Sequence, residues 1–426
     1  MKGDFSRNSF DPYRAYRQVL HQQGRMITDA DLNEQAATQR HLLRMIARDV
    51  IGSHGGPAGQ AGFEIMFAEN GDILIGPGRY YVDGVMVENE RIVPFAQQPN
   101  PLLNIDAMLP LQSETATLLY LDIVEHVVSS VEQPDLIDPA LGGAGTSLRL
   151  QTIWHVRAID MSVAMAGLGD DDAAEILARM ERSLPLLAIR PKPTAADPGL
   201  PSAPGYTGTE NKLVRIEIHQ GGPPGDATYK WSRENGRILS SWRGFNGDLL
   251  LLPEVEFMSE TCVLELTDAA CEIGGVAGEM VEVAFAGPGL CHIVAGDVAS
   301  IRRFWEVGPD RPFARRWETI ANGAAVGVDL VTSGNTASAR WMDLGDGIQI
   351  AFSSTDYVAG DYWQLPVRQD AGLLWPGDRN DAGEWQPRFC PSAGIHHFRA
   401  PLAYIGTIDG RTTVRDLRRI FEPQGL

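Results

Sequence analysis

Cysteine is scarce in this chain and badly spaced for chemistry. There are four in 426 residues, Cys262, Cys271, Cys291 and Cys390, and no pair forms a CxxC. Neither a disulfide framework nor a zinc site is implied, so we expect reduced structural thiols and no metal. No run approaches the roughly 18 uninterrupted apolar residues of a membrane span, and Met1-Lys2-Gly3-Asp4 leads into a polar stretch without the apolar core of an export signal. The expectation is a protein made in the cytoplasm without a membrane span. Basic residues are also short, 36 against 55 acidic, for a formal charge of -19. A surface that negative repels phosphate backbones, so nucleic acid is not an expected partner.

Catalytic signatures are missing too. The chain has no GxSxG elbow, no HExxH, no Walker loop and no GxGxxG at a strand-to-helix turn, and the Gly-rich loop at 141–145 leads into a strand and reads as a turn. No catalytic residue and no cofactor is predicted. Glycoside hydrolysis needs only two suitably placed carboxylates, for which Glu210, Glu217, Glu234, Asp356 and Asp361 are candidates. The plainer readings are a cross-strand pair for Glu217, which alternates with Arg215 on a strand, and a turn role for Asp361 after Gly360. His396-His397 reads likewise as strand residues facing opposite ways, so at most one of them faces a given site.

One long helix is present, over residues 29–50 (DADLNEQAATQRHLLRMIARDV). Thr28 and Asp29 can cap its start, Asp31 adds to an acidic first turn, and Gly52 can end it. Leu32, Ala36, Leu43, Ile46 and Val50 form an apolar stripe that Leu42 and Met45 widen, opposite Glu34, Arg40, Arg44 and Arg48. That stripe needs a cover, either the chain's own first sheet or a partner, which includes a second copy of the chain. The arm before it carries Phe5, Phe10, Tyr13, Tyr16, Val19 and Leu20, too aromatic for a disordered segment.

Beyond Gly52 the period changes to two. Asn70-Gly71 and Asp83-Gly84 mark hairpin turns in a β-meander, and residues 116–128 and 152–159 read as longer buried strands. A short helix is expected at 170–182 and a Pro/Gly/Ala linker at 191–205. Strand signals follow at 213–219, 227–231, 249–252, 263–266, 280–285 and 292–301, then at 347–352 and 361–367, and the chain ends in a strand with a basic helical turn. Residues 257–268 and 357–368 echo each other weakly, as related modules would. The predicted class is mainly β: an N-terminal aromatic arm and helix, then two or three antiparallel β-modules of sandwich or small-barrel type. In order these are 1–52 for attachment and oligomerisation, 53–190 as first β-domain, the linker 191–205, a central module 206–305 and a C-terminal module 306–426.

Trp231, Trp242 and Trp363, with Tyr229 and Tyr362, admit two readings. In residues 229–231 (YKW), alternation puts Tyr229 and Trp231 on one face and Lys230 on the other, the pattern of a half-buried strand. The alternative is a stacking platform for a surface glycan.

Residues 24–34 (GRMITDADLNE) look like a segment that often precedes a helix near the attachment end of phage tail-fibre and baseplate proteins. With MKGDFSR at the start, residues 205–222 (GYTGTENKLVRIEIHQGG), 227–236 (ATYKWSRENG), 360–368 (GDYWQLPVR) and 396–405 (HHFRAPLAYI), the chain resembles one bacterial family of unknown biochemical activity. Its members look like phage-tail-related proteins encoded with contractile injection systems. The resemblance implies a structural role as baseplate accessory, adaptor or fibre-like module in a particle of the kind that bacteria assemble and release, with other particle proteins as partners. Three- or six-fold symmetry implies a homo-oligomer, trimer or hexamer. The chain lacks the repetitive shaft of a tail fibre, which favours a compact module. Attachment is assigned to Phe5, Phe10, Tyr13, Arg25, Asp29, Asp31, Leu32, Asn33, Glu34, Leu43 and Ile46. A carbohydrate-binding or carbohydrate-cleaving surface module is the alternative.

Overall fold

The computed structural model describes residues 2–99, 116–142, 145–161, 173, 176–178, 180, 184–193, 206–254, 261–318, 326–327, 340–354, 356–379, 385–408 and 411–422. Strand dominates, in several antiparallel sheets, and among the described residues no sheet closes into a barrel. The chain divides into two units, each built from three separate segments. Unit 1 holds Met1–Asn8, Val127–Arg149 and Leu184–Ile395; unit 2 holds Ser9–His126, Leu150–Ser183 and His396–Leu426. The consecutive modules expected from sequence are thus not the units of the fold, each of which collects strands from distant stretches.

Unit 2 carries helix α1, Asp29–Ile51. Thr28 caps it through an Oγ1 that accepts from the Asp31 N–H at 3.3 Å, and Gly52 ends it at φ +94°. Behind it, His54–Pro57 pairs with the hairpin of Gly78–Val82 and Val85–Asn89, and with Ile420–Phe421 in the one parallel ladder recorded among the described pairs. A second sheet orders Arg411–Asp416, His397–Ile408, Ala116–Val128 and Arg149–Met161, and a small one joins Ile65–Phe67, Ile73–Ile75 and Val93–Pro94. Their inner faces share one core containing Phe63, Tyr80, Leu121, Ile123, Val156 and Ile405. The basic helical turn expected at the C-terminus is instead the strand Arg411–Asp416, in a hairpin with His397–Ile408. Its β-branched run Thr412-Thr413-Val414 suits a pleated surface better than a helix.

The Asp83-Gly84 turn has positive φ at both residues, +47° and +74°, as a two-residue hairpin turn requires. A Cβ on Gly84 would run into the backbone carbonyl of Arg44 on α1. Gly84→Ala is therefore expected to cost about 1–3 kcal/mol of strain and to speed hydrogen exchange across Asp29–Ile51. Gly71→Ala, at φ +86° with nothing within 4 Å, is the control that carries the conformational cost without the helix effect.

Unit 1 stacks its three larger sheets, beside a two-stranded one of Gly377–Arg379 and Trp385–Pro387. A four-stranded sheet (Met342–Gly345, Ile348–Ser353, Leu186–Pro191, Cys390–Pro391) shares a core with one face of a five-stranded sheet (Val326–Gly327, Thr228–Ser232, Lys212–Gln220, Tyr362–Arg368, Gly372–Leu373). A seven-stranded sheet that includes Thr261–Thr267, Glu279–Gly287 and Phe313–Trp317 has its own core. The strand expected over 292–301 stops at Ala295, and Val298–Val307 is a helix that the sequence reading missed. Its signal was local: Asp297 Oδ1 accepts from the N–H groups of Ala299 and Ser300 at 3.0 and 3.1 Å, and Gly308 closes it in the left-handed region.

The linker from 194 onward and the opening of the 257–268 echo lie outside the described residues, as does most of the 170–182 helix. Of its described residues, 173 and 176–178 are helical and 180 is in a turn. The strands of the two echo segments sit in different sheets.

Candidate functional site

Helix α1 docks on unit 2 with its charged side. Arg44 binds the Glu125 carboxylate and lies 5.5 Å from the Phe398 ring, Arg40 reaches Glu125 at 3.7 Å, and Arg48 reaches Asp83 at 3.6 Å. The helical residues wholly buried are small, Ala30 and Thr38. The apolar stripe points the other way. Leu32 is 56% exposed, Leu43 68%, Ile46 61% and Val50 78%. Of the two covers considered for this stripe, the chain's own sheet is not the one.

The exposed positions are ordered. Leu32, Ala36, Gln39, Leu43, Ile46 and Val50 are all exposed and follow spacings of four, three, four, three and four, the heptad seam of a coiled coil. Leu32, Gln39 and Ile46 take the d positions; Ala36, Leu43 and Val50 take a. The arm extends the apolar surface with Tyr13, Tyr16, Leu20, Met26 and Ile27, all exposed. It is pinned to the helix by Gln35, whose Oε1 accepts from the Val19 N–H at 2.7 Å, and by Phe10, whose ring sits 5.6 Å from His41. Arg25, Asp29 and Asn33 are exposed, while Asp31 and Glu34 are half-buried at the helix start. Phe5 departs from the group: it belongs to unit 1, half-buried beside Gly3.

The candidate glycan platform has no open ring face. Trp231, Trp242 and Trp363 are 4, 2 and 2% exposed; Trp231 and Trp363 lie in one core of unit 1 and Trp242 in the other. Two of the indole N–H groups are used inside the fold, Trp242 donating to the Gly244 carbonyl and Trp363 to that of Cys390. The free thiols also read as packing. Burial pushes Cys271 and Cys291 up to about 12 and Cys262 to about 11, which disfavours the reactive thiolate.

One feature of unit 1 escaped the sequence reading. The second face of the five-stranded sheet is charged and still buried. Lys230 lies between two carboxylates, 2.5 Å from Glu265 and 3.3 Å from Glu217. Arg215 holds the other Glu217 oxygen at 2.6 Å and lies 3.6 Å from the Tyr362 ring, while Trp317 Nε1 donates to Glu265 at 2.9 Å. Glu217, Lys230 and Glu265 are each 3% exposed or less. Burial opposes ionisation of Glu217, but Lys2, Arg215 and Lys230 outweigh it and hold the carboxyl at about 2. Arg215 and Glu217 pair along one strand and not across strands; the residues opposite Glu217 on the neighbouring strands are Lys230 and Tyr362. A carboxylate so strongly held as an anion is a poor proton donor, and the pattern is that of a structural network.

Of the other carboxylate candidates, Asp356 is exposed, and Glu210, Glu234 and Asp361 have structural partners. Glu210 pairs with Lys212 and Glu234 with Arg237. Asp361 accepts from the Val358 N–H and from Ser392 Oγ. Of the two histidines, His397 turns to Asp122 at 2.8 Å while His396 is exposed. Among the described residues no group of three or more His, Cys, Asp or Glu side chains is arranged to hold a metal ion.

No curated protein and no solved structure matches the chain. The sequence profile of a family of unknown function does match, over residues 1–184 and 305–418. That span includes the arm, α1 and most of unit 2. With this much of its length covered, the chain belongs to the family of unknown function DUF6519.

Proposed function

We propose that the chain is a non-enzymatic structural component of a phage-tail-like contractile injection particle, a baseplate accessory, adaptor or fibre-like module that self-associates through α1 and docks other particle proteins. The observation that carries the assembly half of this reading is the exposed heptad seam. A second copy is the occupant that fits it. The seam carries no charge, and its one polar residue, Gln39, finds a hydrogen-bonding partner when helices align in parallel and in register, with Gln39 of one copy beside Gln39 of the next. Leucine at an a position followed by isoleucine at d, as in Leu43 and Ile46, favours three or four strands over two. This supports a trimer, a symmetry that tail-like particles use. The arm adds area toward the roughly 800 Å² per partner of a standard interface. The particle itself is supported by the resemblance of the residue 24–34 segment to phage attachment segments.

The test is to tag the chain in its native host, shear and release the particles, and fractionate them on a density gradient. The expected result is co-sedimentation of the tag with sheath and tube proteins at a fixed copy ratio. A tag that stays at the top of the gradient, with particles intact below it, would sink the particle reading.

A further inference from the structure

The first residues of the chain lie on unit 1 as a peptide ligand would. The Gly3 N–H donates to the Asn235 carbonyl at 3.1 Å, and Asn235 Nδ2 donates back to the Gly3 carbonyl at 2.9 Å. Asn235 is itself fixed by Gln364, which donates to its Oδ1 at 2.8 Å. Gly3 has φ +143°, a backbone conformation that favours glycine, and a Cβ there would also have to displace the end of the Leu148 side chain. Further along, Arg237 comes within 3.8 Å of Asp4, and Arg368 donates to the Ser6 carbonyl at 3.4 Å.

Beside this backbone clamp, Lys2 enters the charged layer between the five- and seven-stranded sheets. Its ammonium lies 3.0 Å from Glu217 Oε1, 2.8 Å from Glu272 Oε1 and 5.8 Å from the Trp317 ring. The two carboxylate side chains are 1% and 12% exposed. Two anionic oxygens and an aromatic face converge on one point, which suits the compact charge and three donors of a primary ammonium better than a planar guanidinium fork.

We propose that unit 1 carries a recognition site for a lysyl-glycine peptide, with Glu217, Glu272 and Trp317 as its ammonium socket, and that the chain's own Lys2-Gly3 fills it as a tethered latch. The ligand class is a primary alkylammonium carried on a backbone with no side chain at the next residue. This site uses none of the α1 seam and stands or falls apart from the particle reading.

The experiment removes the tethered ammonium and offers a free one. Full-length Lys2→Ala is titrated with n-butylammonium chloride, or with tetramethylammonium chloride at equal ionic strength, and unfolding is followed by tryptophan fluorescence. Butylammonium is expected to raise the Lys2→Ala midpoint by a few degrees, to leave the parent unmoved, and to have no effect on Lys2→Ala/Glu217→Gln/Glu272→Gln. An equal response to both cations, or rescue that persists without the carboxylates, overturns the socket. If Lys2→Ala does not fold, the parent decides the matter by acetylation under limiting reagent. Lys2 should react about tenfold more slowly than Lys192, as expected of an amine reached only through local opening, since the Lys192 side chain is 53% exposed. Comparable rates overturn the proposal.

Discussion

Replacing Leu43 and Ile46 together by aspartate is expected to reduce the assembled protein to a monomer while leaving the subunit folded. Both residues project from the side of α1 that unit 2 does not touch, 68% and 61% exposed, so their loss removes no contact that holds the helix. The docking contacts, Arg44 and Arg40 on Glu125 and Arg48 on Asp83, are unchanged. Within a helical seam each introduced carboxylate would be buried beside its symmetry mates without a cation, at a cost of several kcal/mol. Even about 4 kcal/mol per association step weakens binding roughly a thousandfold. Light scattering during size-exclusion chromatography measures the mass, and near-UV circular dichroism checks the fold. A parent that is monomeric at micromolar concentration, or a double variant that keeps the parent's oligomeric mass, would falsify self-association through this seam. Leu42→Asp is a less clean choice, because Leu42 is already half-buried.

The second large effect concerns Lys230. Lys230→Met keeps much of the side-chain volume and removes the one ammonium that touches both Glu217 and Glu265. Breaking a buried ion pair from one side typically costs about 3–5 kcal/mol, because the remaining charge has lost its compensation. For a unit of this size that corresponds to roughly 10 °C in the unfolding midpoint. Adding Glu265→Gln alone to Lys230→Met should recover part of the loss, since Glu217 keeps Arg215 and Lys2 as its cations while the carboxylate left without Lys230 is neutralised. A Lys230→Met protein as stable as the parent would show that water or rearrangement screens these charges.

The same layer sets an acid dependence. Glu217 sits at about 2 in the fold against an ordinary value of 4.5, and Glu265 is also held well below 4.5 by Lys230 and His219 despite its burial. A carboxyl whose folded value is depressed contributes stability that is complete above its unfolded value and is lost as pH falls toward the folded one. The parent should therefore lose stability steeply from pH 5 down toward pH 2. The Lys230→Met/Glu265→Gln protein should show a shallower slope over that window.

The local signals of this chain were legible in its sequence. The Thr28 cap, the acidic first turn and Gly52 set α1 to within a residue of where it lies, because capping is decided by groups a few residues apart. Asp83-Gly84 marked its hairpin for the same reason, and the alternation of Tyr229, Lys230 and Trp231 correctly separated two faces of a strand. The Asp297 cap is equally local but is masked in sequence by Val298 and Ile301, which extend the β-branched pattern of the preceding strand.

What alternation does not say is whether a polar face meets water or another sheet. Lys230 and Glu217 look like an exposed face in sequence, yet both are buried, because the seven-stranded sheet brings Glu265 and Trp317 over them from positions far along the chain. The α1 stripe shows the converse. Its spacing fixes that the apolar residues share one side, but which side docks was decided by Glu125, Asp83 and the glycine turn at Gly84, which receive the arginine side and leave Leu43 and Ile46 outside. Periodicity is a property of neighbouring residues; the identity of the opposing surface comes only from contacts between residues remote in sequence.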